Sequence, residues 1–188
     1  MKTSLNVTSF IYDKLCQFPD LIGLEVADEK FSYAQIINYS LQTASVLKHL
    51  GAKKEAVGLI GQRSASSYFG VLGIVFSGCH YVPINLKYNL DKQVKIIQDS
   101  GIRILVGSSE DLASFSAALD EKSRESIEAW VIPYGQSSFT DEKWFSETSL
   151  DDISILKEPE SQNVSHLTYI MYTSGSTGHP KGVLVGQD

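Results

Sequence analysis

The sequence predicts an α/β fold in which strands and helices alternate around a largely parallel sheet, with helices on both faces. Short apolar runs rich in β-branched residues recur along the 188 residues, and most are followed by a segment with helical periodicity. Strands that alternate with helices favour parallel pairing, because each crossover returns the chain to the same end of the sheet. With 43% apolar residues the chain can bury the core of about one domain.

The first half of the chain contains three predicted helices and three predicted strands. They are helices over 6–18 and 33–50, a helix that begins near Ser64 or Ser66, and strands over 21–26, 57–60 and 80–84. The helix over 33–50 is amphipathic and is stopped by Gly51. Ser32 and Gln35 form a capping box at its start, since each side chain can bond a free backbone N–H of the other residue.

In the second half, Asn89 can cap a helix that runs through Ser100 and is closed by Gly101. The other predicted elements are strands over 102–106, 130–132 and 167–172 and a helix over 110–119. Residues 134–165 are predicted to be a polar, acidic connecting segment. Between positions 139 and 160 there are seven acidic residues and two lysines, a net charge of −5.

The most informative segment is the run that follows the predicted strand over 167–172. It places glycines, hydroxyl side chains and one lysine in a single turn, and these are the groups that hold phosphate. Glycines allow close backbone approach, so that successive N–H groups point at an anion. The carboxyl end of a strand is where open α/β sheets bind ligands. The predicted phosphate-binding residues are Thr173, Ser174, Gly175, Ser176, Thr177, Gly178, Lys181 and Gly182.

The spacing of this loop excludes three other common sites. In a Walker A loop the lysine directly follows a glycine, whereas Lys181 is three positions after Gly178. The dinucleotide pattern G-x-G-x-x-G and the hydrolase pattern G-x-S-x-G are both absent. A flexible linker also contains glycine, serine and threonine, but it requires neither a lone lysine behind a proline nor an apolar strand in front.

The loop resembles the signature loop of the adenylate-forming ligases, which include acyl-CoA synthetases, luciferases and the adenylation domains of nonribosomal peptide synthetases. Residues 31–36 and 77–85 resemble two earlier elements of the same family, although capping and packing explain both segments. Two positions depart from the pattern. Asn85-Leu86 stands where amino-acid-activating members usually have Asp-Pro, and Gly186-Gln187 stands where a hydroxyl residue and a histidine are common.

The resemblance implies that a carboxylic acid, in the first instance an amino acid, is activated by ATP as an acyl-adenylate with release of pyrophosphate. It implies ATP as cofactor, with Mg²⁺ arriving on the nucleotide, and a carrier-protein phosphopantetheine thiol as acceptor. The loop would hold phosphate, and no catalytic residue is assigned. A fatty- or aryl-acid CoA ligase is the alternative within this class. A non-catalytic remnant that binds nucleotide or a protein partner is the alternative outside it.

Composition and motif content also bear on nucleic acid, membrane and metal binding and on the cellular compartment. A net charge of −6 and the lack of a basic stripe argue against nucleic acid. The longest uncharged apolar run, 68–79, is twelve residues and too short to span a membrane. The four histidines do not cluster, so no metal site is predicted. Two cysteines in separate segments and no signal-peptide core indicate a reducing compartment, which we predict to be the cytoplasm.

The position of the loop in the chain leads to a further expectation. Residue 188 is six positions after Gly182, whereas in the family the adenine, magnesium and acid pockets come later. We therefore interpret 1–188 as the opening part of the large amino-terminal domain of an adenylate-forming ligase, with 167–188 as strand plus phosphate loop. We expect the missing remainder to be its partner and this chain alone to be inactive. The strand over 167–172 is expected to leave an open edge.

Overall fold

The structure is a computed structural model that describes residues 6–61, 63–137, 139, 141–163, 165–174 and 180–187. In the first part of the chain the elements are α1 (Val7–Gln17), β1 (Ile22–Val26), β2 (Glu29–Ser32), α2 (Tyr33–His49), β3 (Ala56–Ile60), α3 (Ala65–Phe76), β4 (His80–Ile84) and α4 (Leu90–Ser100). They continue with β5 (Ile104–Val106), α5 (Ser109–Ala118), α6 (Glu121–Glu125), β6 (Ala129–Val131), β7 (Trp144–Phe145), a 3-10 helix (Glu147–Ser149), β8 (Leu167–Ser174) and β9 (Pro180–Gly186).

A seven-stranded sheet forms the centre of the structure, with the order β7-β6-β5-β3-β4-β8-β9. The strands pair in parallel from β7 through β8, and β9 pairs antiparallel with β8. The strands β1 and β2 form a separate two-stranded antiparallel sheet. The predicted largely parallel sheet is therefore confirmed, and the carboxyl ends of β3, β4, β5 and β8 lie along one edge of it.

Helices cover both faces of this sheet, as predicted. On one face α4 and α5 contribute Ile96 and Phe115 to a core that includes Ile60. On the other face α2 and α3 contribute Leu47 and Ile74. Strand β3 lies between the two cores, and this explains why its sequence is apolar without alternation.

Side-chain caps begin the helices where the sequence predicted them. The Ser32 hydroxyl accepts a bond from the Gln35 N–H, and the two residues form the expected capping box. Asn89 accepts from the Lys92 N–H at 2.9 Å. Gly101 ends α4 in the left-handed conformation with φ 67°, which glycine adopts without steric cost.

The acidic segment 134–165 contains structure that its composition did not predict. The short strand β7 pairs with β6, and the Trp144 ring stacks on Trp130 with centroids 5.2 Å apart. Trp130 also donates its backbone N–H to the Lys143 carbonyl at 2.8 Å. A two-residue strand among polar residues has too little periodicity to be recognised from sequence.

The expectation that residues 167–172 would leave an open edge is wrong. Strand β8 is paired on both sides, with β4 and with β9. The edge strand on this side of the sheet is β9 instead, where Val183 is 51% and Leu184 is 62% exposed. The prediction failed because the residues after the glycine-rich loop turn back along β8, and composition alone does not indicate such a return.

Candidate functional site

The predicted phosphate loop connects the two strands of an antiparallel hairpin. Strand β8 continues to Ser174, two residues further than the sequence predicted, and β9 begins at Pro180. In the register of the pair, Thr173 lies opposite Lys181 and Ser174 lies opposite Pro180. The hairpin therefore presents its loop at the carboxyl end of β8, beside the carboxyl end of β4.

Some of the predicted site residues lie in the described part of this hairpin. Thr173 and Lys181 are both exposed. Because they face each other across the strand pair, their side chains project from the same side of it. The structure thus brings one hydroxyl and the lysine together at the base of the loop. Residues 175–179, which include Gly175, Ser176, Thr177 and Gly178, lie outside the described residues, as does the Ser174 side chain. Their roles remain predictions.

Gly182 requires a correction to the physical reason for its presence. We expected it to bring the backbone close to an anion, but it lies in β9 opposite Tyr172, with a φ outside the left-handed region. A Cβ atom there would lie 2.9 Å from Ile170 Cγ2 and 3.1 Å from Tyr172 Cζ. Gly182 therefore makes room for two neighbouring side chains.

Tyr172 is the buried residue at the base of the loop, with 8% of its surface exposed. Its hydroxyl donates a 2.6 Å hydrogen bond to Asp99 Oδ2 on α4. Burial, together with this bond, raises the pKa of Tyr172 to about 12. The phenol is therefore protonated at neutral pH and acts as a donor.

The hairpin lies next to the point in the sheet where successive strands begin to be added on the opposite side. Strand β3 leads through α3 to β4 on one side, and β4 leads through α4 to β5 on the other. The helices α3 and α4 pack on opposite faces, so their connections separate at the carboxyl edge. Open α/β sheets bind ligands in the crevice that such a separation leaves.

The sequence did not reveal the role of Gln187, which is 4% exposed. Its side-chain oxygen accepts a bond from Thr8 Oγ1 at 3.2 Å, and its amide donates to Gln162 Oε1. Asn6 donates to the Gln162 carbonyl at 2.6 Å. Gln187 thus connects the end of β9 to α1. No local pattern predicts contacts between residues so far apart in the chain.

Replacing Gln187 with alanine is expected to lower the free energy of unfolding by about 1–3 kcal/mol, because buried Thr8 and half-buried Gln162 lose their hydrogen bonds to it. Urea denaturation of the variant and the parent chain measures the difference. Gln98→Ala, which changes an exposed glutamine on α4, is the matched control. Equal stability of Gln187→Ala and Gln98→Ala would show that the buried network contributes nothing.

The described part of the chain offers no sign of two other kinds of site. It contains no group of three or more histidine, cysteine, aspartate or glutamate residues that could hold a metal ion. None of its helices is both long and apolar enough to cross a membrane.

Comparison with known proteins gives a consistent family match. The sequence profile of the family described as AMP-binding enzyme matches residues 13–188. Gramicidin S synthase 2 of Brevibacillus brevis is 31% identical over 173 residues, which are 89% of this chain and 3% of that protein. Bacitracin synthase 3 of Bacillus licheniformis is 31% identical over 170 residues, 90% of this chain and 2% of that protein. The chain therefore spans only a small part of these relatives.

Solved structures share the fold. The anthranilate CoA ligase AuaEII, in complex with anthranoyl-AMP, superimposes with a TM-score of 0.82 at 23% identity, covering 100% of this chain and 36% of that one. The nonribosomal peptide synthetase FmoA3 in its AMPPNP-bound form gives a TM-score of 0.74 at 18% identity, covering 98% of this chain and 18% of that one.

Proposed function

The chain belongs to the AMP-binding enzyme family, and from this membership we propose that it takes part in activating a carboxylic acid with ATP. In the proposed reaction a carboxylate oxygen attacks the α-phosphorus, the bond to the β-phosphate breaks, and pyrophosphate leaves. The product is an acyl-adenylate. The observation that carries the proposal is the β8–β9 hairpin, which presents Thr173 and Lys181 at the carboxyl edge of the sheet.

The proposed role of the loop is to hold the β and γ phosphates. Lys181 offsets the negative charge that grows on the departing pyrophosphate, and Thr173 donates from its hydroxyl beside it. We propose the same phosphate-binding role for Ser174, Gly175, Ser176, Thr177 and Gly178, whereas Gly182 contributes by leaving room for the Tyr172 ring. Mg²⁺ enters the site bound to ATP. This contribution is electrostatic stabilisation, and it requires no proton transfer by the loop.

We propose an amino acid as the substrate and a carrier-protein phosphopantetheine thiol as the acceptor. The thiol attacks the acyl carbonyl and displaces AMP, leaving a thioester. Support comes from the similarity to gramicidin S synthase 2 and bacitracin synthase 3. A CoA ligase acting on a fatty or aryl acid is the second candidate, favoured by Asn85 in place of aspartate and by the fold shared with an anthranilate CoA ligase.

Phosphate selectivity tests the role of the loop. In magnesium buffer, ATP and inorganic pyrophosphate are expected to bind this chain at least about 10-fold more tightly than AMP, since AMP lacks the phosphates that make the charge-assisted contacts. Titration calorimetry with the three ligands measures this order. Equal affinity for AMP and ATP, or no binding of either pyrophosphate or ATP, would contradict the proposal.

Acid-dependent exchange of labelled pyrophosphate into ATP tests the reaction itself. The assay compares a mixture of amino acids with a mixture of aryl and fatty acids, on this chain and on the longest polypeptide that its gene encodes. Exchange stimulated by amino acids supports the first candidate. Exchange stimulated only by aryl or fatty acids replaces it with the second.

A further inference from the structure

The Tyr172 side chain lies on the side of the hairpin away from the proposed phosphate site. By the alternation of side chains along a strand, it projects from the opposite face of β8 to Thr173. Its ring packs in the core beneath the hairpin, and its hydroxyl is bonded to Asp99. It therefore has no direct access to the phosphates that Thr173 and Lys181 would hold, although it is adjacent to Thr173 in the chain.

Tyr172 contacts the second strand of the hairpin at Gly182. The space that a Cβ atom at Gly182 would occupy is taken by the Tyr172 ring and by Ile170, with the Tyr172 hydroxyl oxygen 3.4 Å from that position. The ring thus passes directly under β9 on its way to α4. A single side chain consequently touches β8, β9 and α4 at the level where the loop begins.

The location of Asp99 indicates that it is placed to accept the bond from Tyr172. Asp99 is in the last turn of α4, which ends at Ser100 and has no basic residue there. A carboxylate at this end of a helix is opposed by the helix dipole. Stability of the helix alone therefore does not account for an acid at this position, whereas an acceptor for Tyr172 does.

We infer that Tyr172 is a positioning residue for the Thr173–Lys181 pair: held by Asp99 and packed under Gly182, it sets the relative placement of the two strands that bring Thr173 and Lys181 together. The inference rests on the proposed function, because it assumes that this pair receives pyrophosphate. Removing the Tyr172 hydroxyl leaves every proposed phosphate ligand in place and loosens only their support.

The test compares Tyr172→Phe, Asp99→Ala and Asp99→Asn with the unaltered chain, using inorganic pyrophosphate as the ligand at a temperature where all variants are folded. Tyr172→Phe and Asp99→Ala are each expected to weaken binding about 2- to 10-fold, the equivalent of one net hydrogen bond. Asp99→Asn is expected to lose less, because its amide oxygen still accepts. The double variant Tyr172→Phe with Asp99→Ala is expected to be no worse than either single variant.

Two further measurements separate positioning from stability. Tyr81→Phe, the control, removes a phenol from the neighbouring strand β4, where Tyr81 stacks on Tyr169; its affinity for pyrophosphate is expected to be unchanged. Amide hydrogen exchange over residues 181–183 is expected to speed up in Tyr172→Phe and Asp99→Ala and to remain unchanged in Tyr81→Phe.

The outcomes distinguish the inference from the proposed function. If Lys181→Ala weakens pyrophosphate binding while Tyr172→Phe and Asp99→Ala do not, the inference is overturned and the proposed function stands. A lower thermal midpoint with unchanged affinity also overturns it. If the unaltered chain does not bind pyrophosphate, both are overturned. If Tyr172→Phe does not fold, the Asp99 variants decide, since Asp99 is exposed.

Discussion

Lys181→Ala is expected to weaken the binding of inorganic pyrophosphate and ATP by roughly 10- to 150-fold. The substitution removes a charge-assisted contact of about 1.5–3 kcal/mol, and each 1.4 kcal/mol corresponds to about tenfold in affinity. Lys181 is the only basic residue among the described residues of β8 and β9. Calorimetric titration measures the loss, and Lys95→Ala, which changes an exposed lysine on α4, is the control for net charge.

In any longer polypeptide that contains this chain and forms adenylates, the same substitution distinguishes adenylate formation from transfer of the acyl group to the thiol. Charge on pyrophosphate grows toward the transition state of adenylate formation, so the loss is expected in that step. Transfer from a chemically supplied acyl-adenylate to the thiol does not involve pyrophosphate and is expected to change little. Equal damage to both steps would mean that Lys181 supports the fold, and the functional interpretation of the loop would be withdrawn.

The largest effect on stability is expected from Phe69→Ala, which should lower the free energy of unfolding by about 3–5 kcal/mol. Phe69 has no exposed surface. Its ring meets Phe31 edge-on at 5.1 Å and stacks on Tyr39 at 4.9 Å. Truncation leaves a cavity between α3, β2 and α2, the elements that carry Phe69, Phe31 and Tyr39. These elements cannot all close around it.

Urea denaturation measures this loss, and Tyr68→Ala is the matched control. Tyr68 is the preceding residue of α3 and is 43% exposed, so its removal should cost about 0.5 kcal/mol or less. The two variants alter the helix propensity of neighbouring positions in similar ways. If Phe69→Ala lowers the free energy of unfolding no more than Tyr68→Ala does, the contacts of Phe69 with Phe31 and Tyr39 do not hold the β1–β2 hairpin to the helices.

The sequence was a good guide wherever a signal is local. The helix from Asn89 to Gly101 could be predicted to its ends, because a cap and a left-handed glycine act on their immediate neighbours. The apolar strands β3 and β4 could be predicted because burial on both faces leaves few polar positions. These elements are enough to indicate a parallel sheet, which the structure confirms.

The sequence was a poor guide wherever a contact joins distant segments. The bond from Tyr172 to Asp99 and the network around Gln187 depend on how the elements pack. No spacing of residues along the chain predicts that packing. The return of β9 along β8 was missed for the same reason. The phosphate-binding role of the loop stays a prediction, which rests on a lysine, glycines and hydroxyl residues that follow one another closely in the sequence.

The antiparallel pairing of β8 and β9 also restricts how this edge strand can slide. A slip of β9 by one residue would turn Lys181 to the face opposite Thr173. It would also replace Gly182 by a residue with a Cβ atom over the Tyr172 ring, in space that is already filled. Gln187, held by Thr8 at the far end of the strand, opposes the same movement. Contacts at both ends of the edge strand thus oppose a slip, and in the observed register the lysine and the threonine meet.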